Sequence, residues 1–522
     1  MSDRRLREKS ITSAASVVGS ATVLSRILGY ARDAAIAYVF GAGMFADAFF
    51  VAFRISNLFR RLVGEGALTS IFIPIFTDEK NQRTREGSRA LVSSVFTLFF
   101  FILVACAVLG IIFSDDIVRY MSPGFTQDPE KFATTVNLTR LMFPYMVFIG
   151  LMAIAMGVLN AYRHFSLPAL APVFFNIAII ISVFAVAPFM DTPVYALAVG
   201  VLAGGLLQFL IQVPMLRKYG MTPAPRFNFR DPAIKRMFVL MGPAVFGIGV
   251  YQLNIIVILW FASQLAEGSI SYLYYAGRLM ELPLGVFGVA VSTAVLPSLA
   301  EHVTLGDWRG FKDSLSFAIR IVDFVIIPAT IGLLVLNLPI IELLFKRGEF
   351  TSVDASSTAV ALYYYAVGLV PVAISRILVS VFYSLKDTAT PVWVALGTFV
   401  SNVILCLLLV GPLGIGGLAL ATSLSSAINM AALFLILRRK FGAFGGRKIL
   451  GSALKSTAAS VVMGVVIYLL MYRSGLAAGS LAARALLLGG CVIAGVVTYI
   501  ILAVVMRVPE VSFLKGIFRK GG

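Results

Sequence analysis

Eight charged side chains interrupt an otherwise apolar stretch near the beginning of the chain. A charge at the centre of a membrane helix costs roughly 2.5 to 3.5 kcal/mol on insertion scales, so it needs a partner, a watery cavity or a task. Five of the eight are arginines and three are carboxylates, so pairing within the set leaves positive charge in excess. The set comprises Arg26, Arg32, Asp33, Asp47, Arg54, Arg60, Arg61 and Glu65. This pattern predicts a polar, cationic cavity that binds an anion.

Helical spacing places several of these charges in line. Arg26 and Asp33 are seven residues apart, about two helical turns, which predicts that they share one face while Arg32 points elsewhere. A second stripe recurs every seven residues and comprises Asp47, Arg54 and Arg61. Each stripe therefore presents its charges in one direction.

The second half of the chain supplies a further cation to the same predicted region. In the motif YYAGRLMELP, Arg278 stands three residues before Glu281, a spacing that makes the two neighbours on a helix.

An alternative explanation is structural. Intramembrane charges can form ion pairs between helices or extend to the lipid headgroups from positions near span ends. Arg60, Arg61 and Glu65 could lie near the end of their span and extend to the headgroups. Arg320 and Asp323 could form a local ion pair. Pairing alone leaves the excess of positive charge in the first cluster unexplained.

The composition predicts an all-α polytopic membrane protein. The 522 residues are 59% hydrophobic and 13% charged, and the mean hydropathy of +0.93 excludes an ordinary soluble globule. The net charge of +18 lies largely in loops, so we expect no nucleic-acid partner.

Apolar segments of about 20 residues, the length that crosses the hydrocarbon core, predict fourteen transmembrane helices. They lie near residues 11–39, 43–76, 90–114, 134–160, 166–189, 193–216, 237–264, 269–300, 314–337, 354–384, 390–411, 414–437, 450–472 and 485–506. With the N-terminus inside, 27 of the 43 Lys and Arg residues fall in inner segments and six in outer loops. This bias predicts that both termini are cytoplasmic.

An internal repeat predicts the domain organisation. A shift of 223 residues superposes Gly19 on Gly242, Pro74 on Pro297 and Pro168 on Pro391. Because the shift spans six helices, the two halves share one orientation and form a parallel repeat. The predicted domains are 1–222 and 223–445, two six-helix lobes, and 446–522, two extra helices. Transporters of this kind bind substrate between lobes and alternate the open side.

Neither metal nor nucleotide chemistry is indicated. His164 and His302 lack partners at ligand spacing, and no Gly-x-x-x-x-Gly-Lys-Ser/Thr loop occurs. We therefore expect no metal, no cofactor and no enzymatic activity.

Three motifs resemble the MurJ (MviN) family of bacterial lipid II flippases, within the multidrug/oligosaccharidyl-lipid/polysaccharide exporter superfamily. They read SRILGYARD, GAGMFADAFFVAFRISNLFRRLVGEGA and YYAGRLMELPLGVFGVAVSTAVLPSLA. The resemblance implies a protein of the bacterial inner membrane. It implies that undecaprenyl-pyrophosphate-linked peptidoglycan precursor moves from the cytoplasmic to the periplasmic leaflet by alternating access.

The resemblance also implies functional residues. The motif match assigns substrate binding to Arg26, Arg32, Arg60 and Arg278. The supporting polar groups are Asp33, Asp47, Arg54, Glu65 and Glu281. Guanidinium groups suit this cargo because they stay charged and bind pyrophosphate and carboxylate oxygens bidentately.

Further expectations concern the lipid and the partners. The prenyl tail is too long to enclose, so we expect a groove along the last two helices that opens to membrane lipid. We expect a monomer that is free to contact cell-wall synthesis enzymes.

Two other functions remain open from the sequence alone. One is an exporter of drugs or polysaccharide precursors driven by proton or sodium antiport, which should have a lobe dominated by carboxylates. The other is a membrane scaffold for wall-synthesis enzymes, which should tolerate neutralisation of Arg26 or Arg278.

Overall fold

A computed structural model describes residues 2–59, 68–285, 289–473 and 480–511, and these ranges contain helices and no strand. The α-helices are α1 (Ser2–Phe40), α2 (Met44–Phe59), α3 (Leu68–Gln82), α4 (Arg85–Ile112), α5 (Ser114–Met121), α6 (Pro129–Met142), α7 (Tyr145–Ala161), α8 (Ser166–Ile181), α9 (Tyr195–Leu210), α10 (Val213–Lys218), α11 (Pro232–Ala262), α12 (Ser269–Pro283), α13 (Val289–Leu305), α14 (Trp308–Phe345), α15 (Ser352–Val367), α16 (Leu369–Ser384), α17 (Ala389–Leu413), α18 (Ile415–Phe441), α19 (Gly446–Arg473) and α20 (Leu481–Val505). Short 3₁₀ or π segments occupy Pro123–Gln127, Ser182–Val186 and Ala187–Phe189.

Nine helical segments of the described ranges are long and apolar enough to cross a membrane. α15 and α16 meet at a bend of 45° and together form a tenth such segment. The nine are Arg85–Ile112, Pro129–Ala161, Ser166–Phe189, Tyr195–Lys218, Trp308–Phe345, Ala389–Leu413, Ile415–Phe441, Gly446–Arg473 and Leu481–Val505. The predicted class, an all-helical polytopic membrane protein, is confirmed.

The ten segments coincide with the third to sixth and the ninth to fourteenth predicted spans. The other four predicted spans fall on α1, on α2 with α3, on α11, and on α12 with α13. The total of fourteen and the cytoplasmic placement of both termini stay predictions.

The chain forms two compact units. Unit 1 comprises Met1–Ser271 with Arg347–Phe350, and unit 2 comprises Tyr272–Lys346 with Thr351–Gly522. Unit 1 includes α11, which the repeat assigns to the second half, because α11 packs against α3 and α5. The division into lobes 1–222 and 223–445, which rests on the internal repeat, stays a prediction.

Unit 1 is a helical bundle in which α1 packs on α8, α8 on α9, α2 on α6 and α3 on α7. Small residues let α8 and α9 approach closely. A Cβ atom at Gly204 would lie 2.7 Å from the ring of Phe175, and one at Gly200 would lie 2.9 Å from the backbone of Ile179. This packing fixes α8 against α9, and α8 also packs on α1.

Within unit 1, an ion pair joins two residues that are 148 positions apart in the sequence. Arg83, between α3 and α4, donates from Nη1 and Nη2 to the two carboxylate oxygens of Asp231 at 2.6 and 2.8 Å. Arg83 also pairs with Glu79. The hydrogen bonds from Arg83 hold the pKa of the Asp231 carboxyl below its usual range. Asp231 also caps the N-terminus of α11 by accepting from the N–H of Ala233, so the pair fixes where α11 begins.

Unit 2 is organised around α14, the longest helix of that unit. One apolar cluster joins α14 to α13, α16 and α18, and a second joins it to α19 and α20. In the second cluster the ring of Phe324 lies 5.2 Å from that of Tyr499, whose hydroxyl donates to the Phe324 carbonyl at 2.7 Å. The last two long helices are therefore anchored on α14.

The segment after α14 returns to unit 1 through backbone contact. The N–H of Glu349 donates to the carbonyl of Tyr38, near the end of α1, at 2.9 Å. Gly348 adopts a φ of +58°, and a Cβ atom there would lie 2.1 Å from the Tyr38 carbonyl oxygen. Glycine is required at this position for both conformation and space.

We expect the substitution Gly348→Ala to lower the unfolding temperature of the purified protein in detergent. Gly306→Ala is a matched control because Gly306 has a φ of +69°, but a Cβ atom there would meet no atom of the described residues within 4 Å. In the control, backbone strain alone should lower the free energy of unfolding by about 1 to 2 kcal/mol. Gly348→Ala should lower the free energy of unfolding by more than the control does. Equal decreases in the two variants would contradict the close contact between Gly348 and the Tyr38 carbonyl.

Candidate functional site

Arg32 is held inside unit 1 by a carboxylate and an amide. Its Nε and Nη2 donate to Oδ1 of Asp33 at 3.0 and 2.6 Å, and its Nη1 donates to Oδ1 of Asn176 at 3.1 Å. The Arg32 residue is 7% exposed and Asp33 is fully buried. A buried ion pair is tolerated only with good geometry and added hydrogen bonds, which this arrangement supplies.

Asn176 connects this pair to the backbone of α1. It lies on α8 within an apolar run, is buried, and donates from Nδ2 to the carbonyl of Ser25 at 3.1 Å. One amide therefore holds both Arg32 and the turn of α1 that precedes it. Asn176 is not among the residues predicted from the sequence, although an amide within an apolar span is a signal of polar contact between helices.

The alignment of Arg26 with Asp33 does not produce a pair. Asp33 bonds to its neighbour Arg32, so the expectation that Arg32 points away from Asp33 was wrong. The guanidinium reaches back because the arginine side chain is long enough to override the direction of its Cα–Cβ bond. Arg26 is half-buried and makes no hydrogen bond or ion pair with the residues that the structure describes.

Asp47 is an anchor of unit 1. The residue is 1% exposed, and its Oδ2 accepts from Nζ of Lys131 and from the N–H of Gly268, both at 2.9 Å. Its Oδ1 accepts from the N–H and hydroxyl of Ser271 at 2.9 and 2.7 Å. The ammonium of Lys131 also lies 4.3 Å from the ring centre of Phe125. These bonds tie the start of α2 to α6 and to the start of α12.

Unit 2 contains the second predicted cluster. Nη1 of Arg278 lies 3.2 Å from Oε2 of Glu281, whose side chain is 59% exposed. Beside them, a Cβ atom at Gly277 would meet no described atom within 4 Å. Solvent weakens an ion pair of this kind, so another anion can displace the Glu281 carboxylate.

The structure does not describe three residues of the predicted set. Arg60, Arg61 and Glu65 lie outside the described residues. Arg54 is half-buried on α2 and has an interaction partner. Within the described ranges, no group of three or more His, Cys, Asp or Glu residues could hold a metal ion.

Comparison with known proteins identifies the family. The family described as "Lipid II flippase MurJ" matches residues 36–487. The chain belongs to the MurJ family. It is 39% identical to "Lipid II flippase MurJ" of Burkholderia cenocepacia over 427 residues, 81% of this chain and 83% of that protein. It is 34% identical to "Probable lipid II flippase MurJ" of Vibrio cholerae over 500 residues, 94% and 95% of the two chains.

Solved structures agree with this assignment. A MurJ flippase in an inward closed conformation superposes with a TM-score of 0.80 at 29% identity, over 94% of this chain and 98% of that one. An inward-facing multidrug resistance transporter of the MATE family, from the MOP superfamily, gives 0.67 at 16% identity over 80% and 95%. The second likeness concerns the fold alone. The MurJ resemblance is confirmed, and the chain is a multi-pass protein of the bacterial inner membrane.

The two ion pairs of this MurJ protein should differ in their effect on stability. Asp33→Asn leaves the buried Arg32 guanidinium without its carboxylate, which we expect to cost about 3 to 5 kcal/mol. The matched change Glu281→Gln removes the carboxylate beside the accessible Arg278 and should cost no more than about 1 kcal/mol. A denaturant titration in detergent micelles measures both, and similar losses would contradict the burial of the Arg32 pair.

Proposed function

We propose that this protein flips lipid II, the lipid-linked peptidoglycan precursor, from the cytoplasmic to the periplasmic leaflet. One observation carries the proposal, the family match over residues 36–487. Relatives named lipid II flippases support it, because they align over four-fifths or more of this chain. The protein moves its cargo without changing it chemically, so we assign it no enzymatic reaction and no cofactor.

The cargo would be bound by arginines in a cationic cavity that opens alternately to the two sides. Lipid II carries a pyrophosphate and peptide carboxylates, and guanidinium groups bind such oxyanions with paired hydrogen bonds. Arg26 has no partner among the described residues, so it is available to the cargo. Arg278 pairs with an exposed carboxylate that an anionic cargo can displace. We assign cargo binding to both.

Arg32 would act from a fixed position. Asp33 and Asn176 hold its guanidinium at a defined place on α1, six residues after Arg26, so it presents an ordered charge and little side-chain entropy is lost on binding. The same motif match adds Arg60 to the binding set and Arg54, Asp47, Glu65 and Glu281 to the supporting polar groups.

The proposed transport path uses the predicted architecture. Fourteen membrane helices would form two parallel six-helix lobes, 1–222 and 223–445, with both termini in the cytoplasm. Rocking of such lobes is the usual basis of alternating access in transporters built from repeats. We propose that the protein is a monomer that contacts membrane lipid and cell-wall synthesis enzymes.

The last two helices would hold the prenyl tail. Many apolar side chains of α19 and α20 are exposed, and in a membrane they would face lipid. They include Val461, Val462, Val465, Leu469, Leu470, Ile493, Val496, Val497 and Ile501. An apolar surface of this kind suits a chain of isoprene units, and we propose that segment 446–522 guides it. An ion-coupled exporter is not favoured, because the MATE likeness rests on the fold alone.

Growth of bacteria depleted of their own lipid II flippase tests the proposal. We expect the parent protein to restore growth and Arg26→Ala or Arg278→Ala to abolish rescue, because each removes a guanidinium from the cargo. Arg140→Ala is the matched control, because Arg140 forms an ion pair with Asp115 at 2.5 Å and is not among the residues proposed to bind the cargo. Membrane levels of every variant are measured on immunoblots.

Two outcomes would contradict parts of this proposal. If the parent is well inserted and fails to restore growth, lipid II is not its cargo. If the parent and all arginine variants restore growth equally, the protein flips lipid II without the proposed cationic site.

Photo-crosslinkers on the outer faces of α19 and α20 test the path of the tail. Positions Leu469 and Val497 are exposed, and Leu109 on α4 is an equally exposed apolar control. We expect capture of the prenyl chain of lipid II at the first two positions and little at the third. Capture at Leu109 alone, or at all three positions equally, would rule out a dedicated groove.

A further inference from the structure

A second buried polar cluster lies in unit 2, and none of its members is assigned to cargo binding. Arg320 and Asp323 stand three residues apart on α14, and Glu510 follows the end of α20. Ser452 on α19 completes the contacts. The cluster therefore joins α14 and α19 to the segment that follows the last helix.

Glu510 is fully satisfied as an ionised carboxylate. Its Oε1 accepts from Nη1 of Arg320 at 2.5 Å, and its Oε2 accepts from the hydroxyl of Ser452 at 2.6 Å. The residue is 1% exposed. A buried carboxylate with a guanidinium and a hydroxyl donor is stable in its charged form.

Asp323 has no such support. The residue is 3% exposed, and its Oδ1 has no hydrogen-bond partner among the described residues. Asp323 stands three residues after Arg320, which makes the two neighbours on one face of α14, and Glu510 is bound to Arg320 on that face. Arg320, the cation on the same helix, has already committed Nη1 to Glu510, and its Nε has no hydrogen-bond partner in the described ranges.

The other groups that face this region do not neutralise Asp323. The Tyr499 hydroxyl of α20 donates to the carbonyl of Phe324. On α19, Ser456 is buried, and Lys455 is exposed and points to the carbonyl of Arg507 at 3.5 Å. The buried part of the cluster thus contains one cation and two carboxyl groups.

A buried carboxylate without a partner is so unfavourable that the group takes up a proton instead. We propose that Asp323 and Glu510 form a buried site for one proton, in which Glu510 stays ionised beside Arg320 and Asp323 carries the proton. Loss of that proton would leave two carboxylates facing one guanidinium. Protonation of Asp323 therefore stabilises the attachment of the segment after α20 to α14 and α19.

The pH dependence of the unfolding temperature tests this site in the full-length protein in detergent. An aspartate in the unfolded chain releases its proton near pH 4. Because the folded protein retains a proton that the unfolded chain has lost, its stability should fall as the pH rises above about 4, and the decline should end once Asp323 ionises in the folded protein. Asp323→Asn keeps the shape of the neutral carboxyl and cannot ionise.

We expect Asp323→Asn to remove part of this decline and to exceed the parent in unfolding temperature at about pH 9, by roughly 2 °C or more. Asp313→Asn is the matched control, since Asp313 is exposed on the same helix. It should follow the parent at every pH. An Asp323→Asn profile parallel to that of the parent would overturn the proposal.

Infrared spectroscopy supplies a readout that does not depend on Asp323→Asn being stable. The parent should show a protonated-carboxyl C=O band that disappears as the pH rises. In Glu510→Gln, Arg320 is free to pair with Asp323, so the proton should leave and the band should be lost at neutral pH. A band that persists in Glu510→Gln would show that the proton resides elsewhere.

Discussion

The free energy of removing a charge from water constrains both units of this protein. Asp47 with Lys131, Arg32 with Asn176, and Arg320 with Glu510 link side chains that are 84, 144 and 190 residues apart in the sequence. The first two links join pairs of helices and the third joins α14 to the segment after α20, and apolar packing alone could hold these elements in several registers. Because an unpartnered buried charge is strongly destabilising, a slip of either element would be penalised, and the pairs select one register.

The same constraint distinguishes charges that are bonded within the fold from charges that remain able to bind an anion. Asp47 accepts four hydrogen bonds, so it has little capacity left for a ligand. Arg26 makes no polar contact with the described residues, and Arg278 has an exposed partner. In the proposed site, Arg26 can therefore act on an anion directly, whereas Arg32 would act from the fixed position that Asp33 and Asn176 give it.

The likeness to a multidrug transporter shows how little the helical framework says about cargo. A MATE structure shares the fold at 16% identity, while a MurJ structure at 29% identity superposes more closely. The framework supplies two helical units, and a few polar side chains on it determine what is recognised. The side chains that we propose for this role are arginines, which suit a pyrophosphate better than an organic cation.

The sequence by itself determined the class and the family, because hydropathy over about 20 residues and long motifs are local properties of the chain. For the same reason, hydropathy predicted ten spans that coincide with apolar helical segments of the structure, and helical spacing predicted that Arg278 and Glu281 are neighbours. Only the tertiary structure decided that Asp33 pairs with Arg32, that Asn176 supports them, and that α11 packs within unit 1. Helical periodicity gives the direction in which a side chain leaves its helix. It does not give the reach of a long guanidinium or the identity of the residue, more than a hundred positions away, that packing brings beside it.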